Sequence, residues 1–249
     1  MASNPFRGAY ALYLREMLIL KRRIVKQIAS MSVTPTLYVV AFGYGMGKDV
    51  TVEGVGYLAF LIPGLVAMNA MNHAWAIANE INIARFYLKI FEEFQAAPIH
   101  NVAYVAGEAM AGVTRALLSA SVILVVALLF GVTLHCGPWF WLAVALNGFV
   151  FSTLAIAAAM LVRGHSDQNM IASFVITPMA FLSGTVFPLS SMPEWAQGAL
   201  SLIPLTHAAT AIRAAAFGQT PPLGSLAILA LLGALFFIVA YKVVDAARN

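Results

Sequence analysis

The chain has 249 residues, of which 61% are hydrophobic and 10% charged, and its formal net charge is +4. Soluble domains carry about 25% charged residues, so this composition excludes a soluble fold and predicts an all-α, polytopic membrane protein. A lone cysteine, Cys136, excludes an internal disulfide and argues against a cysteine-based metal site.

Residues 1–26 carry too many charges for a cleavable leader, among them Arg7, Arg15, Glu16, Lys21, Arg22, Arg23 and Lys26. Interspersed Tyr10, Leu14, Met17 and Leu18 make this stretch an N-terminal amphipathic interfacial helix, its basic side toward lipid headgroups. Windows of about 20 apolar residues then place six transmembrane helices near 28–47, 57–78, 103–131, 138–162, 169–187 and 222–242. The connections between these leave no room for a second domain. Six spans put both termini on one side, together with Arg85, Lys89, Arg163, Lys242 and Arg248. The positive-inside rule makes that side cytoplasmic and leaves Lys48 and Arg213 opposite.

Gly43 to Asp49 resembles a phosphate loop only superficially, because it lacks the G-x-x-x-x-G-K-[ST] spacing and falls at the end of a span. Its glycines read as close-packing positions or a helix terminus. Asn69, Asn72, His73 and Glu80 recur on one face of the second span, and Asn169, Ser173 and Thr177 on one face of the fifth. Polar faces avoid hydrocarbon, so these either bond helices together or line a substrate path; the spacing leaves both readings open. The 79–101 connection has apolar residues at helical spacing from Ile83 to Phe94, with Arg85, Lys89, Glu92 and Glu93 among them.

Glu108 and Arg115 lie seven apart on one helix face, about 10 Å along the axis, too far for simple direct pairing. Each requires another partner or, for Glu108, the interface, and the pair reads as a structural ion pair or a gate rather than a proton relay. On the fourth span Gly148, Ser152, Ala155 and Ala159 form a small-residue face suited to close packing.

The fifth span breaks at Pro188, and short apolar pieces follow. Ser191-x-x-Glu194 reads as a capping box with Pro193 in the first turn; Pro204 ends that piece, Thr206 caps the next and Gly218 closes it. Residues 207–217 span roughly 16 Å as a helix, too short to cross a bilayer, so 188–218 is expected to form extracellular re-entrant helices before the last span at 222–242. The scattered histidines lack ligand spacing, so no metal site and no catalytic site is expected.

Three motifs together resemble the ABC-2 type exporter permeases of bacteria. They are Phe60-Leu-Ile-Pro63-Gly64-Leu65, the segment Phe91-Glu92-Glu93-Phe94 through Pro98, and Phe181-Leu-Ser-Gly184…Phe187-Pro188…Met192-Pro193…Ile203-Pro204…Arg213. Ile203 replaces the family's frequent asparagine, and Glu108 stands where a lysine is common. The resemblance implies a permease subunit without catalytic activity, in the bacterial cytoplasmic membrane, working as two copies of this chain with two copies of a separate ABC ATPase that binds ATP and Mg. It implies no nucleic-acid partner, and no cofactor on this chain itself. Within it, Arg85, Lys89, Phe91, Glu92, Glu93, Phe94 and Pro98 belong to a coupling helix that docks on the ATPase. Pro63, Arg115, Phe181, Phe187 and Arg213 become gate or structural residues. Relatives of this kind export drugs, lipo-oligosaccharides and lipid-linked polymers, so the substrate is expected to be a small amphipathic or lipid-linked molecule. The alternative is a secondary transporter driven by an ion gradient, with Glu108 as the one promising intramembrane acid.

Overall fold

The computed structural model describes residues 5–45, 51–52, 54–89 and 99–247. Helix α1 (Pro5–Arg22) turns at Arg23 into α2 (Ile24–Gly45), and a hairpin pairs Thr51–Val52 with Val55–Gly56. Then come α3 (Tyr57–Trp75), α4 (Ile77–Asn82) and a π-helical turn at Ile83–Tyr87. After it lie α5 (Asn101–Leu129) and α6 (Pro138–Leu161). Next, α7 (His165–Ile171), a π-helical turn (Ala172–Ile176) and α8 (Thr177–Leu182) follow one another without a gap. A 3-10 turn (Leu189–Ser191), α9 (Glu194–Leu200), α10 (Pro204–Ala216) and α11 (Leu223–Ala246) complete the chain. Apart from the small hairpin the described residues are all-α in architecture.

Among the described residues, four helices are long and apolar enough to cross a membrane: Ile24–Gly43, Asn101–Leu129, Pro138–Leu161 and Leu223–Ala246. The expected spans at 57–78 and 169–187 fall on segmented helices, α3–α4 and α7–α8. The latter ends at Leu182, short of 187, because Gly184 adopts φ +71°, a left-handed conformation that stops the helix.

Helix α6 is the centre of the bundle and packs against α5, α11 and α3. Phe140, Asn147, Phe151 and Ile156 along it are fully enclosed. Its small-residue face does what its composition implies. A Cβ on Gly148 would sit 2.7 Å from Ala116 Cβ, and one on Gly112 of α5 only 2.4 Å from Ser152 Cβ. Gly43 likewise abuts Leu58, supporting its reading as a packing residue.

The segment before α11 departs from its expected caps. Pro193, not Ser191, is the N-cap of α9, and Ser191 Oγ donates instead to the Pro188 carbonyl at 2.7 Å. The capping box is therefore not formed. Pro204 opens α10 rather than ending α9, a position where its missing N–H costs nothing. Thr206 lies inside the first turn of α10 and donates to the Leu200 carbonyl at 2.7 Å, tying the two short helices together. Gly218 does close α10. With φ +73°, it and Gln219 donate to the carbonyls of Ala215 and Ala214, the paired bonds of a Schellman motif.

Candidate functional site

Two of the three sequence motifs, far apart in the chain, meet at one point. Gly64 of α3 packs against the turn after α8 so closely that an added Cβ would lie 1.8 Å from the Thr185 carbonyl oxygen. Tyr57, seven residues earlier on α3, donates its hydroxyl to the Val186 carbonyl at 3.2 Å. Arg213 of α10 donates to the Gly184 carbonyl at 2.8 Å, and its guanidinium lies 3.9 Å from the centre of the Phe60 ring. A cation over an aromatic face, partly removed from water, adds about 0.5–2 kcal/mol. Ser183, Thr185 and Val186 are buried in this junction. Phe181 and Phe187, on either side of the turn, stay exposed. Pro63 is buried in α3 beside Gly64. A cleft of about 670 Å³ opens next to the junction, with Arg213, Thr210, Ser190 and Gln219 among its walls.

The opposite end of the bundle holds a cluster of charges. Arg115 of α5 reaches Glu80 of α4 through two hydrogen bonds of 2.6 Å and Glu16 of α1 through one of 3.1 Å. Arg15 also donates to Glu16 at 3.0 Å. Arg115 is 1% exposed and Glu16 3%. Burial, and then the neighbouring Glu80 carboxylate, push the Glu16 carboxyl up to about 7. Arg15 and Arg115 are paired here with Glu16 and Glu80, and this pairing is what makes the burial of the charges tolerable. The expectation that Glu108 and Arg115 pair elsewhere holds for Arg115, through residues 35 and 99 positions away. Glu108, 4% exposed, lines a cavity of about 190 Å³ together with Glu16, Glu80, Arg15, Arg23 and Tyr104.

The polar stripes divide. Asn69 is buried and donates to the Met31 carbonyl at 3.0 Å. That carbonyl is the one Pro35 of α2 orphans, because proline has no N–H for the residue four positions back. Asn69 therefore ties α3 to α2 through that carbonyl. Asn72 is exposed and His73 half-buried. Asn169, Ser173 and Thr177 are exposed, and Thr177 donates to the Ala172 carbonyl at 3.1 Å across the π-helical turn.

Of the expected coupling residues, Lys89 is exposed with φ 53°, so the helix does not run on through it. Arg85 donates to the Ala159 carbonyl in the last turn of α6, where a cation suits the exposed carbonyls of the helix end. Phe91, Glu92, Glu93, Phe94 and Pro98 lie outside the described residues. Among the described residues no group of acids, histidines and cysteine is arranged to hold a metal ion.

Sequence reasoning missed several buried polar groups, Glu16, Asn147, Asn82 and Gln168 among them. Glu16 had a signal, since it falls between Leu12 and Leu20 on the buried face of α1, an acid on an apolar stripe. Asn147 donates to the Ala67 carbonyl of α3 at 2.9 Å, and Asn82 to Gln168 at 3.2 Å, joining α4 to α7. Single amides of this kind have no spacing signature.

The sequence comparisons agree with this convergence of motifs. The model of the ABC-2 type transporter family matches residues 8–217. The chain is 25% identical over 231 residues to the inner membrane transport permease YadH of Escherichia coli strain K12, covering 90% of each chain. It is 33% identical over 215 residues to nodulation protein J of Rhizobium meliloti strain 1021, covering 84% of this chain and 81% of that one. Nodulation protein J of Sinorhizobium fredii is 31% identical over 218 residues. With a match this long, through the very motifs that meet at Gly64, the chain belongs to the ABC-2 type transporter family and is a membrane permease component.

Proposed function

We propose that this chain is the permease subunit of an ATP-driven exporter, in which two copies of it work with two copies of a separate ATPase that binds ATP and Mg. The pair moves a small amphipathic or lipid-linked substrate out across the bacterial cytoplasmic membrane. The observation that carries this reading is the family match over residues 8–217 in a chain with no phosphate-binding loop. The distribution of Lys and Arg supports six spans with both termini cytoplasmic. Exposed Asn72, Asn169, Ser173 and Thr177 support a substrate path, since polar groups at membrane depth turn toward protein or a wet cavity.

Glu92 and Glu93 sit on the connection that would dock on the ATPase. With the ATPase co-expressed, the Glu92→Lys/Glu93→Lys double variant is expected to insert normally and to lose most export. Export at the wild-type level would remove the coupling role from these acids.

The short helices α9 and α10 are proposed to dip into the outer leaflet and gate the exit. Trp195 and Leu202 support this, being 79% and 82% exposed on the lone chain. Large apolar side chains so exposed are covered by lipid more readily than by water. Leu202→Cys in a Cys136→Ser background should resist a bulky membrane-impermeant thiol reagent at rest and react during ATP turnover. Rapid labelling at rest would make the segment an ordinary external loop.

A further inference from the structure

The turn between α1 and α2 is strongly basic. Lys21, Arg22, Arg23 and Lys26 surround it, and with Ile24 and Val25 they form an open groove of about 560 Å³. Its backbone is well defined: Arg23 N–H donates to the Leu20 carbonyl, and Gln27 N–H to the Arg23 carbonyl. Arg23 also borders the small cavity that contains Glu80 and Glu16. Lys21, Arg22 and Lys26 are exposed, and they enter none of the ion pairs found among the described residues.

Apolar surface flanks this groove on both sides. Along α1, Phe6, Tyr10, Leu14 and Leu18 are exposed at intervals of four, the spacing that aligns them on one helix face. Along α2, Val25, Ile28, Val33, Leu37 and Val40 are exposed. Two lipid-facing apolar surfaces that meet at a basic corner put that corner at the level of the headgroups. A long cationic side chain there keeps its charge in the polar layer while its methylenes lie along hydrocarbon.

We propose that the Lys21–Lys26 turn is a binding site for the phosphodiester of an anionic phospholipid, which seats α1 on the inner leaflet. The proposal rests on the membrane placement given above, and it goes further by committing to a lipid of a particular charge at particular residues. Charge complementarity carries the choice: three unpaired cations and an apolar floor fit a headgroup phosphate attached to acyl chains. Each basic residue held at an anionic surface is worth about fivefold in affinity, so removing three predicts a loss of about 100-fold at low salt. Because α1 also carries Glu16, a lipid held at the turn would steady the helix that closes the buried ion cluster.

The test uses the full chain purified in mild detergent and offered phosphatidylglycerol or phosphatidylcholine, with bound lipid measured by native mass spectrometry. This readout needs neither an ATPase nor a defined orientation, so its failure would leave the exporter reading standing. Wild-type protein is expected to retain phosphatidylglycerol over phosphatidylcholine. The Lys21→Gln/Arg22→Gln/Lys26→Gln variant should lose that preference at an unchanged melting temperature. Inorganic phosphate should not displace the lipid, since it lacks the acyl chains. Equal retention of the two lipids, an unaltered preference in the variant, or full displacement by inorganic phosphate would overturn the proposal. So would a variant that keeps phosphatidylglycerol but loses its ATPase, which would make the turn a protein contact. If the triple variant does not fold, the single Lys26→Glu and Arg22→Glu variants read the same preference.

Discussion

Replacing Arg115 by leucine is expected to cost about 3–5 kcal/mol, because it leaves a buried carboxyl and its neighbour without their shared cation. Arg115 joins three elements at once: α5 on which it lies, α4 through Glu80 and α1 through Glu16. Tyr13 to Thr114, at 3.1 Å, is another such link and a weaker one. The variant should therefore accumulate poorly in membranes, or unfold in detergent roughly 10 °C below the wild type. Removing all three charges together, as Glu16→Gln, Glu80→Gln and Arg115→Met, should recover much of the loss. The penalty comes from stranded charge more than from the missing bonds themselves. An Arg115→Leu protein as stable as the wild type would mean that the cluster does not hold α1 in place.

Gly64→Ala is expected to be nearly as damaging, although it adds one methyl group. Its Cβ would meet the Thr185 backbone at 1.8 Å from the oxygen, 2.7 Å from the carbonyl carbon and 2.9 Å from Cα. No rotamer change relieves a clash with main chain, so α3 and the turn after α8 must separate. Overpacking of this kind costs about 1–3 kcal/mol and occasionally more. Separation would also break the Tyr57 bond to Val186 and disturb the Arg213 stack on Phe60. The same exchange at Gly224 of α11, where nothing lies within 4 Å of the added Cβ, should be harmless. Equal thermal stability of the two variants would contradict the close approach at Gly64.

What the sequence made legible follows from what repeats in it. Long apolar windows located α2, α5, α6 and α11 to within a few residues, because hydrocarbon thickness imposes a length and a composition. The small residues of α6 announced a close helix contact for the same kind of reason. The motifs around Gly64, Gly184 and Arg213 could be recognised as a set, but not that they touch, since contact between α3, α8 and α10 is a tertiary fact with no local period. The caps at Ser191 and Thr206 were misassigned because proline decided both starts. Pro193 became the N-cap of α9, and Pro204 its neighbour's first residue, displacing the hydroxyls to other carbonyls. The charge cluster was half legible. Arg115 in a span demanded partners, whereas choosing Glu80 and Glu16 required knowing that α1 folds back along α5. Gly107 permits that approach, since a Cβ there would fall 2.8 Å from Leu12 Cβ.

The central claim is that this chain carries the transport path while ATP is hydrolysed elsewhere. The most direct measurement is ATP binding and hydrolysis by the purified chain alone and by the complex that it captures from its native membrane. The account predicts no nucleotide binding by the chain alone. In the complex it predicts hydrolysis by a separate ATPase subunit, with turnover stimulated when the two are reconstituted together in lipid. Tight ATP binding to the isolated chain, or substrate export driven by a proton gradient with no ATPase present, would contradict it.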